Sequence, residues 1–181
     1  MAKKITLAAA LTAIASAAPA GNPMVGGAPM YEQKTIVENA VNSADHTTLV
    51  AAVKAADLVD TLNSDGPFTV FAPVNAAFAA LPEGTVETLL KPENKAMLQK
   101  VLTAHVVAGD WSAKQIAEAA RSSADGFYHF NAVSGDALSA QVKGNSVYIY
   151  DESGNASKIT IADVDQSNGV IHVVNSVLVP K

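Results

Sequence analysis

The stretch Asn168–Pro180, NGVIHVVNSVLVP, decides how this chain is read. An Asn-Gly turn signal opens it, a proline closes it, and between them lie branched apolar residues with a single histidine, His172. That density of β-branched residues between turn signals reads as a buried strand. In strict alternation His172 shares a face with Val170, Val174 and Leu178. An imidazole in that setting is catalytic, metal-binding or structural. Catalysis requires partners within hydrogen-bond reach, and the sequence signals none. The expectation is a neutral ring bonded to local backbone or hydroxyl groups.

Working outward, the chain of 181 residues opens with MAKKITLAAALTAIASAAPA. A basic start at Lys3 and Lys4, an Ala-rich uncharged run from Ile5 to Ala17 and a small-x-small site at Ala18-Pro19-Ala20 read as a secretory signal peptide over residues 1–20. The apolar run is shorter than the roughly 20 residues that a membrane span needs. Removing it takes away two of the twelve basic residues and none of the seventeen acids, which moves the net charge from −5 to −7. An acidic chain lacks the Lys/Arg surplus that draws nucleic acid or anionic lipid. There is no cysteine, so disulfides, thiolate metal sites, a Cys nucleophile and lipidation at an N-terminal Cys are excluded. Export without cysteine, behind so short an Ala-rich leader, reads as bacterial, with a periplasmic or extracellular destination.

Residues 21–34 are rich in Gly and Pro and are expected to be a flexible tail. From Thr35 the spacing turns helical: Ile36, Val37, Ala40 and Val41 share a face, as do Leu49, Val50, Val53 and Leu58, with Asp45 a candidate cap for the second helix. FTVFAP (Phe68–Pro73) alternates as a strand, and Asn75 is placed to cap a short helix after it. Pro92 opens a helix with Met97, Leu98, Val101 and Leu102 inward. A further helix spans Ala113–Arg121 with Ser112 as cap. From Phe127 the texture is β: FYHFNAV, ALSAQV, SVYIYD, KITIADV and the final stretch are punctuated by Gly135-Asp136, Gly144-Asn145 and Gly154-Asn155. Helices first and an antiparallel meander last give an α+β fold with segregated layers in one domain, residues 35–181.

Three blocks in order, FTVFAPVNAAFAAL (Phe68–Leu81), LLKPENKAMLQKVLTAHVVAG (Leu89–Gly109) and NGVIHVVNSVLVP, resemble the signature segments of the fasciclin, or FAS1, domain family. The resemblance implies a wedge-shaped β-sandwich of about seven strands with helices packed around it, mostly in the N-terminal half. It implies non-enzymatic adhesion at cell surfaces or in matrix, without a cofactor, through a cell-surface or matrix protein. It also implies that Phe68, Thr69, Val70, Phe71, Ala72, Pro73, Asn75, Asn168, Gly169 and His172 are structural motif residues, with His172 tying the last strand to the FTVFAP block and Thr69 as its partner. Family members commonly carry Tyr-His after the central helix, and here the pair is Ala104-His105. The family's Asp-Ile contact pair corresponds to Asp163-Val164. Asp163, Val164 and His105 are therefore the contact candidates, without the tyrosine that integrin contacts in animal members use.

Other signals are weaker. His46, His105, His129 and His172 fall on four different elements, so a metal site would need three ligands to converge in space. DVDQSNG from Asp163 begins like a calcium loop, but its sixth position is Asn168 and its twelfth Val174, which offers no carboxylate. It and DESGNAS from Asp151 read as polar turns. Phe127, Tyr128, Phe130, Tyr148 and Tyr150 offer a sugar-stacking platform, the alternative reading being a carbohydrate-binding module, against ordinary cross-strand packing. Trp111 is either an interface anchor or packed against its loop. Asn155-Ala156-Ser157 is a glycosylation sequon, relevant only in a eukaryotic host.

Overall fold

The computed structural model describes residues 22–181; the expected signal peptide lies outside them. In chain order the elements are β1 (Met24–Val25), β2 (Ala28–Pro29), α1 (Ile36–Ala40), α2 (Thr47–Ala55), α3 (Val59–Leu62), β3 (Phe68–Pro73), α4 (Asn75–Ala79), α5 (Thr85–Leu89), α6 (Lys95–Thr103), β4 (Val106–Ala108), α7 (Ala113–Ser122), β5 (Phe127–Asn131), β6 (Ala137–Lys143), β7 (Ser146–Tyr150), β8 (Ala156–Gln166) and β9 (Gly169–Val174). The fold is α+β, with helices gathered in the N-terminal half and a meander from β5 to β9, as the periodicity predicts.

Seven strands form one sheet in the order β4-β3-β9-β8-β7-β6-β5. Every neighbouring pair is antiparallel except β3 and β9, which run parallel in register from Phe68↔Gly169 to Pro73↔Val174. The final strand is therefore internal, which explains its unbroken apolar run: a strand covered on both faces has no polar side. The eleven-residue β8 pairs with β7 over its first residues and with β9 over the rest. Around it the sheet curls until Phe71 of β3 reaches Phe130 of β5, ring centroids 6.1 Å apart. Val133, just past β5, donates its N–H to the Val106 carbonyl of edge strand β4 at 2.7 Å.

The curl divides the core in two. Inside it Phe71, Leu138, Ala140, Ile149 and Val174 pack together, with Ile116 of α7 closing one side. Outside it Val70, Ala72, Ile171 and Val173 meet Ile36, Leu49, Val53, Leu98 and Leu102 of the helical layer. Side chains of this size contribute roughly 1.5–3 kcal/mol each when fully buried. Adjacent residues of β3 and of β9 point into different cores, so these two strands join the layers.

Four expectations need correction. The tail is folded from residue 22 onward: β1 and β2 pair across Gly26-Gly27, and Val25 and Met30 are buried. Asp45 does not cap α2; Asn75 does, its side-chain oxygen accepting from the Thr48 N–H at 3.0 Å while its amide donates to the Ala44 carbonyl at 2.8 Å. Asn75 thus serves a neighbouring helix rather than the one it begins. Met97 points outward and is 60% exposed, while Leu98, Val101 and Leu102 face in. Helix α1 carries a capping box of Thr35 and Glu38, and α7 one of Ser112 and Gln115.

Candidate functional site

The motif residues meet where β3, β9 and the start of α7 converge. Ile161 of β8 pairs with Val173 and Val164 with Ile171, so Ala162 and Asp163 together oppose His172. This is a β-bulge, and the extra residue is turned out of the ladder. Asp163 takes it up at φ 55°, a left-handed conformation that Asp tolerates better than most residues. Its side chain is exposed and accepts from the Ala113 N–H, the first of α7, at 2.7 Å. A carboxylate there satisfies a free donor and complements the helix dipole.

His172 is fully buried and stacks on Phe71 at 5.7 Å. Its Nδ1 accepts from the Asp163 N–H at 3.2 Å and its Nε2 donates to the Trp111 carbonyl at 2.7 Å. Those two bonds fix the tautomer and leave no ring nitrogen free for proton transfer. Burial pushes its pKa down, against the pull of the Trp111 carbonyl and nearby Asp163. Both ring nitrogens bond main-chain groups, and Thr69, the expected partner, bonds neither. Thr69 donates instead to the Gly109 carbonyl at 2.7 Å and accepts from the Trp111 N–H at 2.9 Å. Both residues grip the same loop, Gly109–Trp111, from adjacent strands. Replacing His172 with Leu is expected to cost about 1–3 kcal/mol by orphaning the Trp111 carbonyl and the Asp163 N–H. A thermal melt unchanged by the substitution would contradict this.

Asn168 is a second clamp. Its side-chain oxygen accepts from the Ile36 N–H at 3.1 Å, its amide donates to the Leu62 and Ser64 carbonyls, and its own carbonyl accepts from Phe68 N–H. One side chain thus ties α1 and the end of α3 to the start of β9. Asp151 was missed as an anchor: its carboxylate accepts from the Ser153, Asn155 and Val179 N–H groups at 2.9 Å. The polar-turn reading of DESGNAS located its first bonds, while the link to Val179 has no local signal.

Two contact candidates, Val164 and His105, are buried rather than presented at the surface. Val164 is 0% exposed, because the bulge that turns Asp163 outward returns Val164 to the core. His105 is 2% exposed; its Nδ1 donates to the Val101 carbonyl and its Nε2 accepts from the Leu178 N–H, each at 2.8 Å. Burial holds its pKa down to about 4, with the Val101 carbonyl and Asp151 opposing. Asp163 alone of the three reaches the surface, beside exposed Asp110, Asp165 and Glu32. Partial desolvation, then the charges of Asp110, Glu32 and Asp163, push the Asp165 carboxyl upward. An adjoining groove of about 530 Å³ is lined by Thr35, Asn63, Asp65, Asp110, Ser167 and Asn168. The stretch from Asp163 to Gln166 is strand rather than turn, the turn being confined to Ser167-Asn168.

Among the described residues, no three His, Cys, Asp or Glu side chains gather in a metal-holding arrangement, and no helix is long and apolar enough to cross a membrane. Trp111 packs on Tyr128 at 5.6 Å and donates from its ring to the Ala108 carbonyl. It is half-buried and belongs to its loop.

These features define an α+β module in which the motif residues hold strands, helix starts and one loop together. The chain belongs to the fasciclin family: residues 44–180 match the family model described as Fasciclin domain. It is 51% identical over 146 residues to Protein sll1483 of Synechocystis sp., spanning 81% of this chain and 73% of that protein. It is 34% identical over 171 residues to Immunogenic protein MPB70 of Mycobacterium bovis, spanning 92% of this chain and 78% of the relative. To transforming growth factor-beta-induced protein ig-h3 of Sus scrofa it is 38% identical over 133 residues, 73% of this chain but 17% of that longer protein. Among solved structures it resembles the FAS1 domain pair of the insect cell adhesion molecule fasciclin I, with a TM-score of 0.70 at 17% identity, over 80% of this chain and 50% of that one. The expected FAS1-type α+β architecture is the observed one, its seven strands forming one curled sheet.

Proposed function

We propose that this chain is an exported, non-enzymatic adhesion module that makes protein–protein contacts at the cell surface, in extracellular matrix or in the periplasm. The observation that carries this is the fasciclin match over residues 44–180, together with the likeness of fold to a domain pair from a cell adhesion molecule. The burial of His105 and Val164 removes them from contact with any partner, leaving Asp163 and its neighbours. The contact surface is the acidic end formed by Asp163, Asp165, Asp110 and Glu32, and the partner is a protein that brings Lys or Arg to it. Partial desolvation, and then repulsion from its acidic neighbours, raises the Asp165 carboxyl, and incoming cations relieve that repulsion. A lone domain binds weakly, so adhesion of useful strength comes from many copies displayed together.

Asp165→Asn is the informative substitution, since Asp163 also holds α7 in place. Cells of the producing organism are to be offered surfaces coated with wild-type or variant chain, at low and high salt. Attachment is expected to fall with Asp165→Asn and to weaken as salt shortens the screening length below about 10 Å, at unchanged melting temperature. Attachment indifferent to both would remove the acidic end as the contact surface.

A further inference from the structure

The aromatic residues of the meander divide between the two faces of the sheet. Tyr128 and Phe130 pack inward against the inner core. Phe127, Tyr148 and Tyr150 point outward, on the face opposite Ile149 and Leu138. The register aligns them in cross-strand rows: Phe127 opposite Gln141, Gln141 opposite Tyr148 and Tyr148 opposite Lys158, with His129, Ser139, Tyr150 and Ala156 in the next row. Helix α7 lies on the inner side, with Ile116 in the inner core.

The outer face has the elements of a saccharide platform. Phe127 meets Tyr150 edge-on at 5.8 Å and stacks with His129 at 6.1 Å. Tyr148 and Tyr150, two residues apart on one strand, are spaced at about 7 Å. Gln141 lies between the aromatic strands and accepts from the Tyr150 hydroxyl at 3.3 Å, leaving its amide N–H groups to donate outward. Sugar rings present slightly positive C–H faces to the negative faces of such rings, and their hydroxyls suit amide and phenol partners.

The charge on this face sets the class of sugar. The chain as a whole is acidic, at −5, yet the ionisable side chains at the ladder positions of the rows are Lys158 and His129, with Lys143 beside them. The Lys143 ammonium lies 5.7 Å from the Tyr148 ring centroid and 5.3 Å from that of Tyr150. Asp125 sits at the border of the face, engaged with His129 at 2.8 Å. That ammonium lies over both rings, so a sugar that stacks on the tyrosines displaces it to the sugar's edge, and a carboxylate is the substituent that an ammonium there favours.

We infer that the outer face of β5–β8, built on Phe127, Tyr148, Tyr150, Gln141, Lys143 and Lys158, binds an acidic, uronate-containing polysaccharide. The face is separate from the acidic end assigned to protein contact, so either assignment stands if the other fails. It gives the module a hold on a carbohydrate matrix while the acidic end engages protein.

Affinity electrophoresis of the full chain in gels containing polygalacturonate tests this, with dextran as the neutral comparison. The chain is expected to be retarded by polygalacturonate well beyond dextran. Tyr148→Ala and Lys143→Ala should each weaken binding about tenfold, at unchanged melting temperature, and Tyr148→Phe should retain it. Absence of retardation would overturn the inference. So would retardation unaffected by Tyr148→Ala, which would mean that charge alone is being read, or equal retardation by dextran.

Discussion

Gly169→Ala is expected to destabilise the protein by about 4 kcal/mol. Gly169 opens β9 directly beside Phe68 in the parallel pair. A Cβ there would lie 1.9 Å from the Phe68 carbonyl oxygen and 2.8 Å from its N and C atoms, all backbone, at a φ of 152°. Nothing flexible yields: β3 and β9 would have to part where their parallel pairing begins. Overpacking costs roughly 1–3 kcal/mol and unfavourable backbone conformation a similar amount, against total stabilities of about 5–15 kcal/mol. Gly144→Ala is the control, because its Cβ would enter open space at a left-handed φ of 61° and so reports conformational strain alone. Urea midpoints give both values. A Gly169→Ala chain no less stable than Gly144→Ala would refute the close parallel pairing.

Acid should weaken the fold in a defined window. The pKa of His105 is held down to about 4 by burial, from an ordinary 6.5, and burial lowers His172 and His46 as well. Above pH 6.5 these rings are neutral in both states and no pH dependence arises from them. As pH falls below 6.5 the unfolded chain takes up protons that the folded chain refuses, so stability declines until the folded ring titrates near pH 4. With each pKa unit worth about 1.4 kcal/mol, His105 alone removes about 3 kcal/mol across that interval. His46 adds to it, since burial lowers its pKa against the opposing pull of the Ala72 backbone and of Asp45. Urea midpoints from pH 7.5 to 4 should fall accordingly, and His105→Gln should flatten the slope. Constant stability down to pH 4.5 would show that the histidines are not buried as described.

Much of this fold is legible in the sequence because its signals are local. Helical spacing at Leu98, Val101 and Leu102, the capping residue Ser112, and the alternation of KITIADV each depend on neighbours a few residues away. What was not legible depends on distant partners. The parallel pairing of β3 with β9 joins segments about a hundred residues apart, and only family resemblance linked FTVFAP to the last strand. The Thr69 and His172 partners are main-chain atoms of Gly109, Trp111 and Asp163, which no residue type advertises. Asn75 is a cap, but for α2, and sequence order pointed to α4. The N-terminal hairpin was different: Gly26-Gly27 between Val25 and Ala28 is a two-residue turn signal, and the Gly/Pro-rich composition around it argued for a tail. Val164 was misplaced because a one-residue bulge reverses which neighbour faces the core, and nothing in Asp-Val marks the bulge.

The proposed contact surface is therefore a product of the buried network. Thr69 and His172 fix the loop bearing Asp110, and the bulge opposite His172 turns Asp163 outward. The most direct measurement of the adhesion account is cell attachment to surfaces coated with the native chain, compared with the same chain unfolded by heat. The account predicts attachment to the native chain and its loss on unfolding. Equal attachment to native and unfolded chain, or none from the producing organism or a natural host, would contradict it.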